Sequence, residues 1–212
     1  WTLVEEWPSG SSGPYGIEER RGYLWSSRAS FGSTKVLTTI DPAHCHSFKD
    51  PSGINAMLLL RDLERAKDEH KLGPILKRPV RNVEIVSKSS ARSVANRIIA
   101  SGAAACDIET HGPDLTACIG FATTIDQAYV FPPGTMHEAH RILQDPHMIL
   151  VFQNGQFDLY HLLSRDGIRV AGRVDDTIIG WHCLWPEIAS QGQGKKNSKR
   201  THKSLAFLSS IY

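Results

Sequence analysis

Two carboxylates of this chain follow directly on an apolar run. Residues 103–106 are small and apolar, and the sequence Asp-Ile-Glu-Thr follows at 107–110. Successive side chains of a β-strand point to opposite faces, so Asp107 and Glu109 project from the same face, one pleat apart. Two neighbouring carboxylates repel each other unless a cation lies between them, and Mg²⁺ takes oxygen ligands of this kind. The pair alone fits two interpretations: a divalent metal site, or a half-exposed strand whose outer face is acidic.

A second acidic motif follows another apolar strand. Residues 148–152 predict a buried strand, and the sequence Gln-Asn-Gly-Gln-Phe-Asp at 153–158 carries the chain into a helix. Asp158 therefore lies near a strand-to-helix junction, where a third carboxylate could complete a metal site. Gln153 and Asn154 offer amides for sugar and phosphate oxygens, and Phe157 offers a ring beside a substrate. The sequence thus predicts a place where a metal ion and a sugar-phosphate substrate meet.

Taken together, the two motifs resemble the 3′→5′ proofreading exonuclease of the DNA polymerase I family (family A). That exonuclease belongs to the DEDD, or RNase H-like, superfamily. The resemblance runs from about residue 83 to residue 212 and includes the later Gly167-Ile168 and Asp176-Thr177 steps. It implies an α/β fold with an RNase H-like mixed sheet flanked by helices. It also implies hydrolysis of the terminal phosphodiester at a DNA 3′ end, in the cytoplasm of a bacterial or phage-infected cell.

The resemblance also implies roles for individual side chains. Asp107, Glu109 and Asp158 would be the catalytic carboxylates and would hold two ions, Mg²⁺ or Mn²⁺, which activate a water and stabilise the leaving 3′ oxygen. The substrate would be a single-stranded DNA 3′ end or a primer–template, and a polymerase domain in the parent chain would be the partner. The side chains expected to hold the terminal nucleotides are Thr110, Gln153, Asn154 and Phe157.

The family uses a fourth carboxylate, the Asp of a Tyr-x-x-x-Asp motif. That motif lies on a helix beyond the Ser-Leu-Ala helix, which corresponds to residues 204–206 here, and the sequence stops at Tyr212. In the family the Asp of the Asp-Thr step supports structure, so Asp176 is not a substitute. Because the sequence opens on Trp1 and carries three of the four carboxylates, we expect a fragment, truncated before its last motif, with weak or no activity by itself.

The elements around the motifs can be predicted from periodicity and capping residues. Ser90 predicts the start of a helix over 91–100, and Thr135 the start of a helix ending at Leu143. Residues 115–124 and 127–131 predict two strands that form an antiparallel meander with the Asp107 strand. Further predictions are a short strand at 84–86, a helix over 157–164, an extended step at 168–170, and a helix capped by Asp175 or Asp176 that holds residues 178–184.

Residues 1–82 predict a small α/β appendage. A strand at 34–40, an Asp-Pro-Ala loop at 41–43 and a helix from Ile54 to about His70 are similar to the C-terminal end of uracil-DNA glycosylase-like folds. The periodicity of this helix predicts Leu60 and Leu63 on its apolar face and Asp62 on the opposite, polar face. Those folds carry a His where this chain has Asp41, a carboxylate that would repel phosphate, so we expect no glycosylase activity. The sequence His-Cys-His at 44–46 is interpreted as a loop, since neighbours in sequence rarely converge on one ion. The Pro-containing segment 72–84 predicts the boundary to the domain 83–212.

Composition and charge set broad limits on the function. The chain has 212 residues, is 41% hydrophobic and carries a net charge of +2, so any nucleic-acid footprint must come from local clustering. Four cysteines without zinc-type or disulfide spacing favour a reducing compartment. No signal peptide and no membrane-spanning run is evident. The basic run 191–203 predicts either a solvated loop or a contact to the phosphate backbone, through Lys195, Lys196, Lys199 and Arg200.

Two competing functions remain from the sequence. The first is a non-catalytic module that binds DNA ends or positions a neighbouring polymerase, and its DNA binding would not need a divalent ion. The second is a uracil-recognising protein, which depends on the N-terminal segment alone. The intact motif carboxylates favour the exonuclease.

Overall fold

The computed structural model describes residues 21–26, 34–46, 53–74, 80–112, 115–184 and Leu208. These residues divide into two compact units, one formed by 21–74 with Leu208 and the other by 80–184. The basic side chains Lys195, Lys196, Lys199 and Arg200 lie outside the described residues. The helix predicted to begin at Ser204 also lies outside them, except for the buried, helical Leu208.

The first unit is a small α/β structure, as predicted. Strands β1 (Leu24–Ser26) and β2 (Lys35–Leu37) pair antiparallel, and helix α1 (Ile54–Lys71) follows. Strand β2 is shorter than the predicted 34–40. Between β2 and α1, Pro42–His44 form a 3-10 turn in which the Asp41 carboxylate accepts a hydrogen bond of 2.9 Å from the Ala43 N–H. The side chain at the glycosylase-like position is therefore a local helix cap.

A buried ion pair corrects the predicted orientation of α1. The sequence placed Asp62 on the polar face of the helix and Leu60 and Leu63 on the apolar face, but Asp62 is buried and both leucines are exposed. The Asp62 carboxylate lies 3.2 Å from the Arg21 guanidinium and accepts a hydrogen bond of 2.6 Å from the Thr39 hydroxyl. Burial raises the pKa of Asp62, and the Thr39 hydroxyl and the Arg21 charge oppose that rise. Partners distant in sequence decided which helix face is buried.

The second unit contains a six-stranded mixed sheet in the order β3-β6-β5-β4-β7-β8, in which only β5 runs against the other strands. This confirms the predicted fold class, a mixed α/β sheet flanked by helices. The strands are β3 (Asn82–Ile85), β4 (Ala103–Thr110), β5 (Thr116–Ala122), β6 (Gln127–Phe131), β7 (Ile149–Phe152) and β8 (Arg173–Asp176). The helices are α2 (Ala91–Ser101), α3 (Met136–Leu143), α4 (Gln156–Ser164) and α5 (Thr177–Leu184).

Three helices pack on one face of this sheet. The connections β3 to β4, β6 to β7 and β7 to β8 pass through α2, α3 and α4. Val94 and Ile98 of α2, Ile142 of α3 and Leu162 of α4 belong to a single buried cluster. The sheet contributes alternate residues to the same cluster, namely Ala104, Cys106, Ile108, Ile119, Phe121, Tyr129, Phe131, Leu150 and Phe152. Alternation within each strand leaves the intervening side chains on the other face.

Most local predictions for this unit are confirmed, and three are wrong in detail. The β4–β5–β6 meander and the four helices are present. The Ser90 and Thr135 side chains do not cap α2 and α3, because their hydroxyls bond to the carbonyls of Ser87 and Pro132 instead. Residues 168–170, predicted as an extended step, have no regular secondary structure, and the strand beside β7 is β8 at 173–176. Strand β3, at the edge of the sheet, begins two residues earlier than predicted.

None of the helices in the described part of the chain has the length and apolar character needed to cross a bilayer.

Candidate metal and nucleotide site

Strand β4 presents the first two carboxylates on the face opposite the helices. Ala104, Cys106 and Ile108 are buried, while Asp107 and Glu109 alternate with them and are exposed. The residues opposite the two carboxylates on β5 are Gly120 and Cys118. The strand parity predicted from the sequence is therefore the parity observed.

The two carboxylates interact unfavourably. Partial burial raises the pKa of Asp107, and the neighbouring Glu109 charge raises it further. A cation bound between them would stabilise both ionised groups, because an opposite charge within a few ångströms favours the charged form of an acid. The donor set consists of carboxylate oxygens, which suits a hard divalent ion such as Mg²⁺.

Asp158 reaches the same strand from the first turn of α4. Strand β4 pairs with β7 only from Ala103 to Ala105, so its last residues extend beyond the end of β7. There the backbone N–H of Ile108 donates a hydrogen bond of 3.2 Å to Asp158 Oδ1. Burial raises the pKa of Asp158, the hydrogen bonds to its carboxylate lower it, and the charge of Asp107 raises it again. The Asp107 carboxylate is therefore close enough to affect the ionisation of Asp158.

The structure does not gather these three carboxylates into a finished metal cage. In the ranges that the structure describes, no three side chains of His, Cys, Asp or Glu are close enough together to hold a metal ion. The Glu109 charge raises the pKa of Asp107, and the Asp107 charge raises the pKa of Asp158. These three residues would hold the ion.

The loop between β7 and α4 is fixed by a carboxylate from the following strand. Asp176 accepts hydrogen bonds from the N–H groups of Asn154 (3.1 Å) and Gly155 (2.8 Å), and it also caps α5 through the N–H of Ile178 (2.9 Å). Asn154 has φ 61°, a left-handed conformation that is uncommon for a residue other than glycine. The sequence predicted the cap of α5, and the contact to Asn154 and Gly155 is a further role of the same side chain.

Tight packing also restricts this loop. A Cβ atom added at Gly155 would lie 2.6 Å from the Cβ of Phe152, which is closer than packed side chains approach. The Thr177 hydroxyl contacts the Phe152 carbonyl at 3.2 Å and also contacts the side-chain oxygen of Gln153. The Gln153 amide is thereby held by the Asp-Thr step, and its place in the loop does not depend on a substrate.

Phe157 and Thr110 border the carboxylates. Phe157 is exposed, and its ring lies 6.1 Å from that of His161 at an interplanar angle of 30°. Thr110 is half-buried at the end of β4, after a shift in the β4–β5 register.

Sequence reasoning missed His161. Its side chain is buried, and its Nε2 atom has no hydrogen-bond partner among the described residues. Buried polar atoms are normally paired, so an unpaired one beside a candidate site is a feature to be explained. The available signal was the spacing of three residues from Asp158, which places both side chains on the same side of a helix.

No protein-family model matches the sequence, and no curated protein matches it. Among solved structures the chain is similar to RNase D of Escherichia coli, described as an exoribonuclease involved in structured RNA processing. The identity is 17%, the TM-score is 0.43, and the match covers 60% of this chain and 32% of that one. The catalytic core of RRP6 from Trypanosoma brucei matches with 18% identity, a TM-score of 0.42, and coverage of 57% and 38%.

The EXD2 exonuclease domain, soaked in Mg and dGMP, matches with 14% identity, a TM-score of 0.43, and coverage of 53% of this chain and 65% of that one. The chain thus spans about a third of the length of the bacterial RNase D and less than two thirds of each of the other two. With identities below 20% and TM-scores below 0.5, these likenesses establish neither a family nor an activity for this chain.

Proposed function

We propose that the unit 80–184 carries most of the active site of a DEDD-type 3′→5′ exonuclease of the kind found with family A DNA polymerases. The observation that carries the proposal is the placement of Asp107 and Glu109 on the exposed face of β4, with Asp158 bonded to the same strand. Like charges brought together in this way are unfavourable for the metal-free protein, and a divalent ion removes the repulsion. The assignment of a DNA 3′ end as the substrate depends on the sequence motifs that contain these carboxylates, at 107–110 and 153–158.

Two Mg²⁺ or Mn²⁺ ions, when bound, lower the pKa of a water and stabilise a departing oxyanion. Asp107, Glu109 and Asp158 would hold the ions, and Glu109 would also orient the attacking water. Phe157 stacks on a base at the 3′ end, and Asn154 and Gln153 bond to sugar and phosphate oxygens. These contacts give little preference for one base sequence over another, because stacking and phosphate contacts are common to all nucleotides.

We place this exonuclease in the cytoplasm of a bacterial or phage-infected cell, with a polymerase domain of the parent chain as its partner. All four cysteines of the chain (Cys45, Cys106, Cys118 and Cys183) are free thiols, which suits a reducing compartment.

The test is shortening of 5′-labelled single-stranded DNA with Mg²⁺ or Mn²⁺, together with calorimetric titration of Mn²⁺. Asp158→Asn should lower the rate on the order of a thousandfold, since a catalytic metal supplies several kcal/mol. It should also weaken Mn²⁺ binding. Asp145→Asn is the matched control, because Asp145 bonds to the His147 N–H at the opposite end of β7.

A wild type that shortens the DNA, with Asp107→Asn and Asp158→Asn shortening it at the same rate, would reject the site. A matched RNA strand included in the same assay tests the substrate: faster degradation of the RNA would reject the assignment to DNA. Degradation that persists in EDTA would reject the metal mechanism.

A second candidate is a non-catalytic module that binds DNA 3′ ends. It is favoured by the absence, within the described ranges, of three side chains close enough to hold a metal ion. DNA-end binding by fluorescence anisotropy separates the two functions. Affinity that is the same in EDTA and in Mn²⁺, with no shortening of the DNA, would support the binding module.

A further inference from the structure

Helix α4 carries a row of large exposed side chains next to the carboxylate site. Phe157 is 54% exposed, Tyr160 is 68% exposed and Leu163 is 57% exposed. Residues three apart in an α-helix are separated by about 4.5 Å along its axis and are turned by about 60°. The three side chains therefore form a continuous row that begins at Phe157 and winds away from the start of the helix.

This row is not the core-facing side of the helix. Asp158, His161 and Leu162 are the buried residues of α4, and they face the sheet. The row is also free of negative charge: the other exposed side chains of α4 are Gln156 and Ser164, and Arg165 follows the last turn. An anionic strand lying along this side of the helix would meet no carboxylate from α4 itself.

The size of the row excludes a stable protein partner on these residues alone. A specific protein–protein interface buries about 800 Å² on each partner, whereas these three side chains, each little more than half exposed, together offer at most about 450 Å². Three partly exposed side chains in a single row suit a ligand of linear shape. Nucleobases in a single strand have this shape, and every base has a π-face that stacks on an aromatic ring.

We propose that Tyr160 extends the nucleotide site, so that Phe157 and Tyr160 stack on successive bases of an unpaired 3′ end while Leu163 gives apolar support beyond them. The inference rests on the exonuclease function proposed above and specifies its substrate. The ligand is a single strand of at least three nucleotides, since successive bases inside a duplex are stacked on each other and cannot each offer a face to a ring on the protein. A duplex end must therefore open before it is bound.

The test uses 2-aminopurine, a base analogue whose fluorescence is quenched by stacking. It is placed at the second, third or sixth nucleotide from the 3′ end of a single-stranded DNA of about ten nucleotides, a length within the usual range of single-strand binding sites. This DNA is titrated with the full chain in a buffer that contains Ca²⁺ in place of Mg²⁺, so that the DNA 3′ end is not hydrolysed. The variants are Tyr160→Ala and Tyr160→Phe. Ile125→Ala is the control, because Ile125 is 92% exposed in the turn between β5 and β6.

Wild type should quench the probe at the second or third nucleotide and leave it bright at the sixth. Tyr160→Ala should abolish that quenching and weaken binding about fivefold or more, the range for loss of one stacked base. Tyr160→Phe and Ile125→Ala should behave as wild type. Unchanged quenching in Tyr160→Ala, or equal affinity for a blunt duplex, would overturn the inference.

These outcomes separate the inference from the proposed function. If the wild type shortens DNA from the 3′ end while Tyr160→Ala binds normally, the exonuclease stands and the role of Tyr160 is rejected. If the wild type neither binds nor shortens a single-stranded 3′ end, both are rejected. Concentration-dependent self-association that Tyr160→Ala abolishes would assign the row to a second copy of this chain and would also reject the inference.

Discussion

Asp107 carries an unfavourable charge when no ion is bound. Its carboxylate is partly buried and lies beside Glu109, and both effects raise its pKa. Asp158 has a raised pKa for a related reason, with burial as the larger cause. A folded-state pKa above the unfolded value means that the folded protein binds the proton more tightly than the unfolded chain does. The free energy of unfolding contributed by each group is then largest at acidic pH and falls as the pH rises through the folded pKa.

We therefore expect Asp107→Asn to raise the thermal unfolding temperature of the metal-free protein at pH 7, and to leave it nearly unchanged near pH 4, where unfolded Asp is about half protonated. Mg²⁺ should raise the unfolding temperature of the wild type, because it binds the folded state, and should do so much less in the variant. Calorimetry between pH 4 and pH 8, with and without Mg²⁺, measures both effects. A variant that is less stable than wild type at pH 7 without metal, and equally stabilised by Mg²⁺, would contradict the charge argument.

Single elements show what the sequence could predict about this fold and what it could not. The alternation of β4 and the first turn of α4 were predictable, because each depends on neighbours within about one turn or one pleat. Strand β8 was not predictable, because three of its four residues are charged and its extended conformation depends on pairing with β7. Asp62 was misplaced for the same reason: its partner Arg21 lies 41 residues away.

The loop before α4 shows the same dependence on distant contacts. Its sequence pointed to nucleotide binding, yet the side chain that holds its backbone, Asp176, comes from the next strand, about twenty residues later. Gln-Asn-Gly is a sequence that adopts turns readily, and the left-handed Asn154 is one such conformation. The local sequence allows the turn, and the hydrogen bonds from its backbone to the Asp176 carboxylate fix its conformation.

We expect Asp176→Asn to loosen this loop and to destabilise the protein by about 2 kcal/mol, the scale of a hydrogen bond to a charged group. An amide has a single acceptor oxygen. With that oxygen in the Oδ1 position the NH₂ group would face the Gly155 N–H, and in the other orientation it would face the N–H groups of Asn154 and Ile178. Amide hydrogen exchange at Asn154 and Gly155 should accelerate, and DNA affinity should fall. Both can be followed by NMR on the labelled chain.

Asp175→Asn is the matched control for that experiment. Asp175 pairs with Arg173 in an exposed ion pair, which contributes about 1 kcal/mol at most. Its replacement should leave the exchange of the Asn154 and Gly155 amides unchanged. Equal protection of those amides in wild type and in Asp176→Asn would show that the turn is stable without the carboxylate.

At the scale of the whole molecule, the part of the chain that the structure describes builds the apolar core of the second unit from residues of that unit alone. The members of its buried cluster lie between Val86 and Leu162, and the cluster joins three helices to four of the six strands. A single connected core of this kind is what allows a domain of roughly 100 residues to fold by itself. The carboxylates Asp107, Glu109 and Asp158 lie on elements that this core fixes directly, so the geometry of the site should not depend on the first unit.

We therefore expect residues 79–184, expressed alone, to fold and to unfold in one cooperative transition with dispersed amide NMR signals. Phe121→Ala in the fragment should cost about 3–5 kcal/mol, because Phe121 is fully buried and meets Phe131 edge to face at 5.7 Å. Mn²⁺ titration should broaden the amide signals of Asp107 and Asp158 before those of Asp145. A fragment with native helix content, collapsed amide dispersion and strong binding of a hydrophobic dye would contradict this expectation, because it would show that the core needs the rest of the chain to pack.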